Sequence, residues 1–313
     1  MRTIFMGTDR FAVPTLKAVI DSDVELLCVI TQPDRPKGRK LKPAPSPVKE
    51  VALENNLLIH QPERVRKREF VDEVLGPLLP DIIIVVAFGQ ILRKAVLDLP
   101  PLGCINLHPS LLPKYRGAAP VQRTIMNGEE VTGITVMFLD EGEDTGDIIL
   151  QEQMEIDISD TAELLSQKLA ELGARLIQGT LQLARIGPLP RQVQDHSRAS
   201  HAPKLGKEDG LIDWGKSAFE IHNLIRGTVP WPGAYTTFGE AARLKIWESR
   251  SLVSPRPSAP PGTITDILPD AGIVVAAGDT GLLITTVQPA SKSKMAARDF
   301  ANGYRLKVGD TFL

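Results

Sequence analysis

The chain has 313 residues, and its 36 basic and 38 acidic side chains give a formal net charge of −2. This balance excludes a global attraction to nucleic acid, so contact with phosphate groups would require a local basic segment. The length indicates two domains, the 42% of apolar residues is ordinary for a globular protein, and no apolar run is long enough to span a bilayer, so we expect a cytoplasmic protein.

Residues 2–110 alternate between strand and helix patterns. The predicted strands are 3–6, 24–31, 57–60, 82–88 and 104–107, and the predicted helices between them are 13–20, 46–55, 66–75 and 91–98. Several of these strands are almost entirely apolar, as strands covered on both faces are. The alternation predicts an α/β domain with a mostly parallel sheet. Because no G-x-G-x-x-G or P-loop sequence follows the first strand, no nucleotide cofactor is expected.

A basic segment lies between the second strand and the second helix. Five of the eight residues from 35 to 42 are basic, namely Arg35, Lys37, Arg39, Lys40 and Lys42. Proline, glycine and the lack of periodicity predict an exposed loop. Two interpretations remain open from these residues alone: a solvated surface loop, or a loop that contacts nucleic-acid phosphates.

The fifth predicted strand carries two polar residues, Asn106 and His108, next to a proline-rich loop. Side chains two residues apart in a strand point to the same face. An amide can donate to a developing oxyanion, and an imidazole titrates near neutrality. Asp144, in the polar loop 140–147, is a candidate carboxylate partner for the imidazole. The alternative interpretation is a structural polar pair on a buried strand.

Other catalytic groups find little support. The histidines lack zinc-binding spacing, and the acidic loop 140–147 lacks the ligand spacing of an EF-hand, so no metal is expected. Cys28 and Cys104 lie in apolar runs and are interpreted as small core residues rather than a disulfide.

The pattern changes after a long amphipathic helix predicted at 161–186, which Ser159 or Asp160 could cap. Gly187 and Pro188 end this helix, and the polar stretch that follows is predicted to be a linker. One helix near 217–226 then precedes short β-rich segments, which suggest a small barrel. The three tryptophans are expected to fill cores. Whether Lys245, Lys292 and Lys294 share one face is left open.

Several segments carry a family resemblance that covers essentially the whole chain. N-L-H-P-S-L-L-P-K-Y-R-G-A-A-P-V-Q and D-T-G-D resemble the formyltransferases that use 10-formyltetrahydrofolate. M-G-T-D-R-F-A, T-Q-P-D-R-P-K-G-R, K-L-G-K-E-D-G-L-I-D-W and W-P-G-A-Y resemble the members that act on methionyl-tRNA. The chain departs from the usual Gly-Thr-Pro-Asp at Asp9 and Arg10, and has Pro109 where some members have glycine.

The resemblance implies an enzyme that transfers the formyl group of 10-formyltetrahydrofolate to the α-amino group of methionine on initiator tRNA. Asn106, His108 and Asp144 would be its catalytic residues, and no metal would be needed. Two loops would form the folate site, with the residues Phe88, Gly89, Gln90, Ile91, Leu92, Ser110, Leu111, Leu112 and Pro113. The tRNA contacts would come from Arg35, Lys37, Arg39, Lys40, Lys42 and Lys204.

The expected architecture is a Rossmann-like catalytic domain at 1–189, a linker at 190–205 and an OB-like β-barrel tRNA-binding domain at 206–313, in a monomer. Residues up to about 190 are expected to fold without the barrel. A formyltransferase acting on an amino sugar is an alternative, which the basic segment disfavours. The tail disfavours a glycinamide ribonucleotide transformylase. A non-catalytic RNA-binding protein is a third alternative, which the set of Asn106, His108 and Asp144 disfavours.

Overall fold

The computed structural model describes residues 1–37, 42–239, 242–251 and 259–313. The strands in chain order are β1 Arg2–Gly7, β2 Glu25–Ile30, β3 Arg35–Lys37, β4 Lys42–Ala44, β5 Ile59–His60, β6 Ile82–Val86, β7 Cys104–His108, β8 Val131–Phe138, β9 Ile148–Glu155, β10 Tyr235–Phe238, β11 Ala242–Ser251, β12 Ile264–Leu268, β13 Gly272–Ala276, β14 Gly281–Pro289 and β15 Met295–Ala296. The α-helices are α1 Val13–Ile20, α2 Pro47–Glu54, α3 Arg68–Phe70, α4 Lys94–Leu97, α5 Pro120–Met126, α6 Ala162–Ile186, α7 Ala218–Thr228 and α8 Ala297–Tyr304.

The first sheet has the strand order β5-β2-β1-β6-β7-β8-β9. The pairs from β5 through β7 are parallel, whereas β8 and β9 are antiparallel additions. All five residues of β6 are buried, as the apolar sequence of this central strand predicts. The sheet confirms the expected α/β class with a parallel-rich, Rossmann-like first part.

The chain divides into two compact units. The first contains residues 1–120, 131–155 and 166–202, and the second contains 121–130, 156–165 and 203–313. The change of unit near residue 202 falls inside the predicted linker. Two earlier segments, 121–130 and 156–165, nevertheless cluster with the second unit, which the sequence did not indicate.

Most of the predicted linker is bound into the first unit. The backbones of Ile148 and Gln192 exchange two hydrogen bonds of 2.8 and 2.9 Å, which extends the pairing of β9. The backbone N–H of Arg116 donates to the Ser200 carbonyl at 2.8 Å, and that of Ala202 donates to the Arg116 carbonyl at 2.6 Å. Residues 192–202 are therefore held by backbone pairing.

The second unit contains an antiparallel sheet with the order β10-β11-β14-β13-β12, and β15 pairs with β14. Among the described strands, the two edges β10 and β12 do not pair directly. Instead, Phe312 bridges Phe238 at the end of β10, and Thr311 bridges Thr263 just before β12. The core of this unit is apolar and includes Trp214, Ile221, Ile246 and Phe300.

Several predicted helices differ from the observed ones. The predicted helix 66–75 is a short α3 followed by a wider turn at 71–75 and a 3-10 turn at 76–78. The predicted helix 91–98 contracts to α4. Thr161, rather than Ser159 or Asp160, accepts a hydrogen bond from the Leu164 N–H at 3.2 Å at the start of α6. The hydrogen bond to Thr161 places the start of α6 directly after this residue.

Candidate active site

The loops that follow the parallel strands of the first sheet meet at one edge. Thr8, after β1, and Gln32, after β2, each donate a side-chain hydrogen bond of 2.9 Å to the Phe88 carbonyl. The Gln32 N–H also donates to the Thr8 hydroxyl at 3.3 Å. These bonds tie the ends of β1, β2 and β6 together. This is the edge at which open α/β sheets bind ligands. Neither Thr8 nor Gln32 stood out in the sequence as a site residue.

Asn106 and His108 lie at the carboxyl end of β7, the strand next to β6. The His108 side chain is buried, whereas Asn106 is half-buried. Among the described residues, the Asn106 carboxamide has no hydrogen-bond partner. A half-buried amide without a protein partner is free to donate to a bound molecule.

Both ring nitrogens of His108 face oxygen atoms. Nε2 lies 2.9 Å from the carbonyl oxygen of Tyr115, and Nδ1 lies 3.5 Å from Oδ2 of Asp144. A carbonyl or carboxylate oxygen only accepts hydrogen bonds, so both contacts are satisfied when both ring nitrogens carry protons. The structure thus brings His108 and Asp144 together, as the sequence analysis expected.

Asp144 lies in the loop between β8 and β9, and its carboxylate is held by a residue outside this loop. Its Oδ2 accepts a hydrogen bond of 2.7 Å from the backbone N–H of Gly117. Within the same loop, the Thr145 hydroxyl donates to the Asp140 carboxylate at 2.7 Å, and the Gly142 N–H donates to it at 3.0 Å. These bonds give the acidic loop a defined shape.

The first predicted folate segment presents few exposed side-chain atoms. Phe88 and Leu92 are buried in the core, and Ile91 is 72% exposed. The Gln90 side chain accepts from the Val65 N–H at 2.7 Å and donates to the Pro62 carbonyl at 3.0 Å. Gly89 has a φ of +79°, a conformation that favours glycine. This leaves the Gly89 backbone and the Ile91 side chain for a ligand.

The second predicted folate segment is anchored from within. Ser110 is buried, its hydroxyl donates to the Lys114 carbonyl at 2.7 Å, and its carbonyl accepts from the Thr135 hydroxyl at 2.6 Å. Leu112 packs in a small apolar cluster. Leu111, Leu112 and Pro113 line a cavity of about 600 Å³, which none of residues 88–92 lines. The two predicted walls therefore do not share this cavity.

The basic segment forms a two-stranded hairpin, β3 with β4, in which Lys37 pairs with Lys42 and Arg35 with Ala44. Arg35 is exposed and forms an ion pair of 2.9 Å with Glu63. Arg39 and Lys40 lie outside the described residues. Lys204 is exposed in the second unit.

Basic and aromatic side chains share a face of the second unit. The Lys294 ammonium lies 3.3 Å, and the Lys245 ammonium 5.8 Å, from the centre of the Trp247 ring. Trp247 is half-buried, and Trp231 is 51% exposed. The expectation that all three tryptophans fill cores is correct only for Trp214, which is 5% exposed.

Cysteine chemistry does not fit this site. Burial raises the pKa of the Cys28 thiol and of the Cys104 thiol to about 12 each. A thiol with this pKa is protonated at neutral pH and is a poor nucleophile.

In the part of the chain that the structure describes, no three His, Cys, Asp or Glu side chains form a group that could hold a metal ion. No helix within the described ranges is long and apolar enough to cross a membrane.

Comparisons with known proteins give consistent matches. The family model described as "Formyl transferase" matches residues 1–181, and "Formyl transferase, C-terminal domain" matches residues 204–305. Methionyl-tRNA formyltransferase of Clostridioides difficile (strain 630) is 48% identical over 309 residues and covers 99% of both chains. The protein of the same name from Bacillus subtilis (strain 168) is 43% identical over 309 residues, which are 99% of this chain and 96% of that one.

Two solved structures share the fold at low sequence identity. WlaRD, a sugar 3N-formyl transferase crystallised with dTDP and 5-N-formyl-THF, superposes with a TM-score of 0.68 at 22% identity, covering 94% of this chain and 99% of that one. HypX from Aquifex aeolicus in complex with tetrahydrofolic acid gives a TM-score of 0.64 at 15% identity, covering 99% of this chain and 48% of that one.

Proposed function

The chain belongs to the methionyl-tRNA formyltransferases, and on that premise we propose how the edge of its first sheet carries out formyl transfer. The enzyme transfers a formyl group from a folate-derived donor to the α-amino group of methionine on initiator tRNA, the step that prepares this tRNA for translation initiation. We propose 10-formyltetrahydrofolate as the donor. It supplies a formyl carbon that an amine can attack, and a nitrogen that leaves.

The unpartnered carboxamide of Asn106 is the observation that carries this proposal. When the amine attacks, negative charge develops on the formyl oxygen and must be stabilised. A donor fixed beside the carboxyl edge of the sheet, and not already bonded to protein, meets that need. Asn106 therefore donates to the oxyanion.

His108 stabilises the negative charge that develops, and Asp144 balances the charge of His108 and transfers a proton. With both ring nitrogens protonated, His108 carries a positive charge that stabilises the oxyanion, and Asp144 at 3.5 Å balances that charge. The attacking amine must lose a proton, and the leaving nitrogen must gain one. Because both ring nitrogens of His108 face protein oxygens, the Asp144 carboxylate accepts the proton of the amine and returns it to the leaving nitrogen through water, so no covalent enzyme intermediate is needed.

The two loops at the edge hold the formyl donor. The donor contacts two separate surfaces, the Gly89 backbone with the Ile91 side chain, and the cavity lined by Leu111, Leu112 and Pro113, which residues 88–92 do not line. Their anchoring by Gln90, Ser110 and Thr135 supports this assignment, because a rigid wall loses little entropy when a ligand binds.

The tRNA is bound by two basic surfaces. The β3–β4 hairpin and its connecting residues, with Arg35, Lys37, Arg39, Lys40 and Lys42, contact the acceptor end. Lys204 and the face with Lys245, Trp247 and Lys294 contact the tRNA body in a C-terminal tRNA-binding domain. Cations beside an aromatic ring suit phosphates and unpaired bases. We also propose that residues 311–313 complete an OB-like barrel by pairing with both edges of the second sheet, and that the enzyme acts as a cytoplasmic monomer.

One assay tests the function as a whole. The purified chain is given 10-formyltetrahydrofolate with methionyl-initiator-tRNA, an amino sugar nucleotide, or no acceptor, and donor consumption is followed. We expect consumption to depend on methionyl-tRNA and to yield formylmethionyl-tRNA. Consumption with the amino sugar alone would contradict the proposal, and would favour the sugar formyltransferases that share this fold.

A further inference from the structure

The backbone of Asp144 has a left-handed conformation, with a φ of +54°. Residues other than glycine adopt this conformation rarely, although Asp tolerates it better than most. Surrounding contacts must therefore keep it in place. Because the Asp144 carboxylate faces His108, the contacts that hold this backbone also set the distance between the two side chains.

Gln194 supplies such contacts. Its carboxamide nitrogen donates to the carbonyl of Asp144 at 2.9 Å and to the carbonyl of Gly146 at 2.7 Å. The side chain is only 3% exposed, and both amide hydrogens have oxygen partners. Gln194 thus hydrogen-bonds to the acidic loop at both ends of the turn formed by residues 144–146.

Arg116 orients Gln194. The Gln194 side-chain oxygen accepts from Nη2 of Arg116 at 2.6 Å and from Nε at 3.2 Å, and Arg116 is 5% exposed. A buried guanidinium fork fixes the plane of the amide it binds. With its oxygen held by Arg116, the amide must direct its nitrogen toward the Asp144 loop.

The same short segment also touches His108 and the Asp144 carboxylate. The Tyr115 carbonyl faces His108 Nε2 at 2.9 Å, and the Gly117 N–H donates to Asp144 Oδ2 at 2.7 Å. Arg116 lies between these two residues. Residues 115–117 therefore position the Asp144 carboxylate directly, through the Gly117 N–H, and the Asp144 backbone indirectly, through Arg116 and Gln194.

We infer that Gln194, oriented by Arg116, is a positioning residue that fixes the Asp144 carboxylate against His108 for formyl transfer. The inference rests on the proposed function, because it takes Asp144 to be the catalytic partner of His108. Gln194 lines the same cavity as Leu111, Leu112 and Pro113, but its amide nitrogen is bonded to the acidic loop and its amide oxygen to Arg116, so we assign it a positioning role through that loop.

The test is Gln194→Glu, which keeps the size of the side chain and the acceptor for Arg116 but has no hydrogen to donate to the loop. We expect kcat for methionyl-tRNA formylation to fall about 10- to 100-fold, the scale of a catalytic group misplaced by about 1 Å. KM for both substrates should stay within about twofold. Gln182→Glu, on an exposed position of α6, makes the same charge change and should retain wild-type kcat.

A double-mutant cycle separates positioning from a general loss of structure. In an Asp144→Asn background, Gln194→Glu should cost less than about twofold in kcat, because the group it positions has already lost its charge. The same loss in both backgrounds would overturn the inference, as would a wild-type kcat for Gln194→Glu alone. A general structural defect would instead lower kcat in both backgrounds.

Two further measurements keep the result interpretable. If Gln194→Glu does not fold, as judged by thermal unfolding, Arg116→Lys takes its place in the same cycle, since it keeps the charge but loses the fork. The Asp144→Asn variant tests the proposed function separately. If Asp144→Asn keeps wild-type kcat, the site assignment fails together with the inference. If Asp144→Asn is impaired but Gln194→Glu is not, only the positioning role fails.

Discussion

Asn106 and His108 are two residues apart on β7, yet their side chains differ in their hydrogen-bond partners. The ring of His108 is bonded at Nε2 and faces a carboxylate at Nδ1, whereas the Asn106 amide has no partner in the described part of the chain. Asn106 can donate without first breaking a protein hydrogen bond. A donor that needs no rearrangement is the kind that stabilises a transition state most effectively.

Removing these groups should lower turnover while leaving folate binding in place. Asn106→Ala and His108→Ala are each expected to reduce kcat by about 10²–10³, the usual loss for a transition-state donor. Asp144→Asn should be comparably damaging, because the imidazolium loses its balancing charge. Single-turnover formylation with saturating donor measures the effect. Near wild-type rates in all three variants would show that the catalytic site lies elsewhere.

His222 links stability to pH in the second unit. Burial lowers the pKa of His222 below its ordinary value of 6.5, and the nearby charge of Arg226 lowers it further, against hydrogen bonds to Ile158 and Ser249 that raise it. The unfolded chain therefore binds a proton at a higher pH than the folded one. Stability from this group is present above pH 6.5 and is lost as pH falls toward the lower folded value.

We expect the free energy of unfolding to decrease as pH falls below 6.5, and His222→Gln to weaken that decrease. Urea titrations at pH 7.5 and pH 5.5, on the wild type and the variant, measure the difference. Burial also lowers the pKa of His60. His60→Gln is therefore the comparison variant, because it removes the contribution of His60 to the pH dependence of stability. Equal pH dependence in the wild type and His222→Gln would rule out this role.

At the scale of elements, β3 and β4 pair the two ends of the basic segment. The pairing of Arg35 with Ala44 and of Lys37 with Lys42 brings the two basic ends of the segment side by side. Proline, glycine and the lack of periodicity predicted an exposed loop here, whereas the two ends form strands. Pro36 and Pro43 are nevertheless accommodated, since they pair in an isolated two-stranded ribbon.

Replacing Arg35, Lys37, Arg39, Lys40 and Lys42 by Ala should weaken tRNA binding and flatten its dependence on salt. Each phosphate contact that is lost should reduce the slope of log K against log salt concentration by about 0.7 to 0.9. Filter binding from 50 to 300 mM salt measures the slope. Lys17→Ala with Arg175→Ala, on exposed positions of α1 and α6, is the control and should leave it unchanged. An unchanged slope in the hairpin variant would mean that the basic segment is a solvated surface that does not contact tRNA phosphates.

Secondary structure could be predicted where one pattern dominated. Apolar runs identified the central strands, and the long periodic helix became α6. The short helices α5 and α8 were not predicted, since seven or eight residues carry too little periodicity. The helix expected at 66–75 breaks into several turns that lead to Pro77, which disfavours a continuous helix before it.

At the scale of the whole molecule, the two compact units are interleaved along the chain. Within the second unit, Arg226 donates to the carbonyls of Asp157 and Asp160 at 2.9 and 3.0 Å, and Arg123 forms an ion pair of 2.9 Å with Asp209. Segments 121–130 and 156–165 thus have their partners after residue 203. The expectation that residues 1–190 form an independent domain did not allow for this.

We therefore expect a fragment of residues 1–190 to be much less stable than the full chain. It lacks the partners of segments 121–130 and 156–165, and also the strand-like pairing of Gln192 with Ile148. A fragment of residues 1–202 restores that pairing and should unfold at a higher temperature than the shorter one. Thermal unfolding by circular dichroism measures the order. A 1–190 fragment as stable as 1–202 would contradict it.

The candidate site could be predicted only in part. Asn106, His108 and Asp144 stood out because polar residues interrupt an apolar strand and because the segments resemble a known family. Gln32, Arg116 and Gln194 gave no comparable signal, since a single polar residue in a loop has no periodicity to read. Their importance comes from hydrogen bonds to groups distant in sequence, which a sequence pattern does not encode. Gln32 and Gln194 donate to backbone carbonyls, and Arg116 donates to the side-chain oxygen of Gln194.

Residues 115, 116 and 117 contact His108, Gln194 and Asp144 in strict succession. Inserting or deleting one residue between His108 and Gly117 would shift all three contacts by one position at once. Because the contacts of Tyr115 and Gly117 are made by backbone atoms, a side-chain substitution in this stretch leaves their spacing unchanged, whereas a length change shifts them. For related sequences, the spacing from the histidine to the glycine is therefore a stricter test of an intact site than the identity of the residues in between.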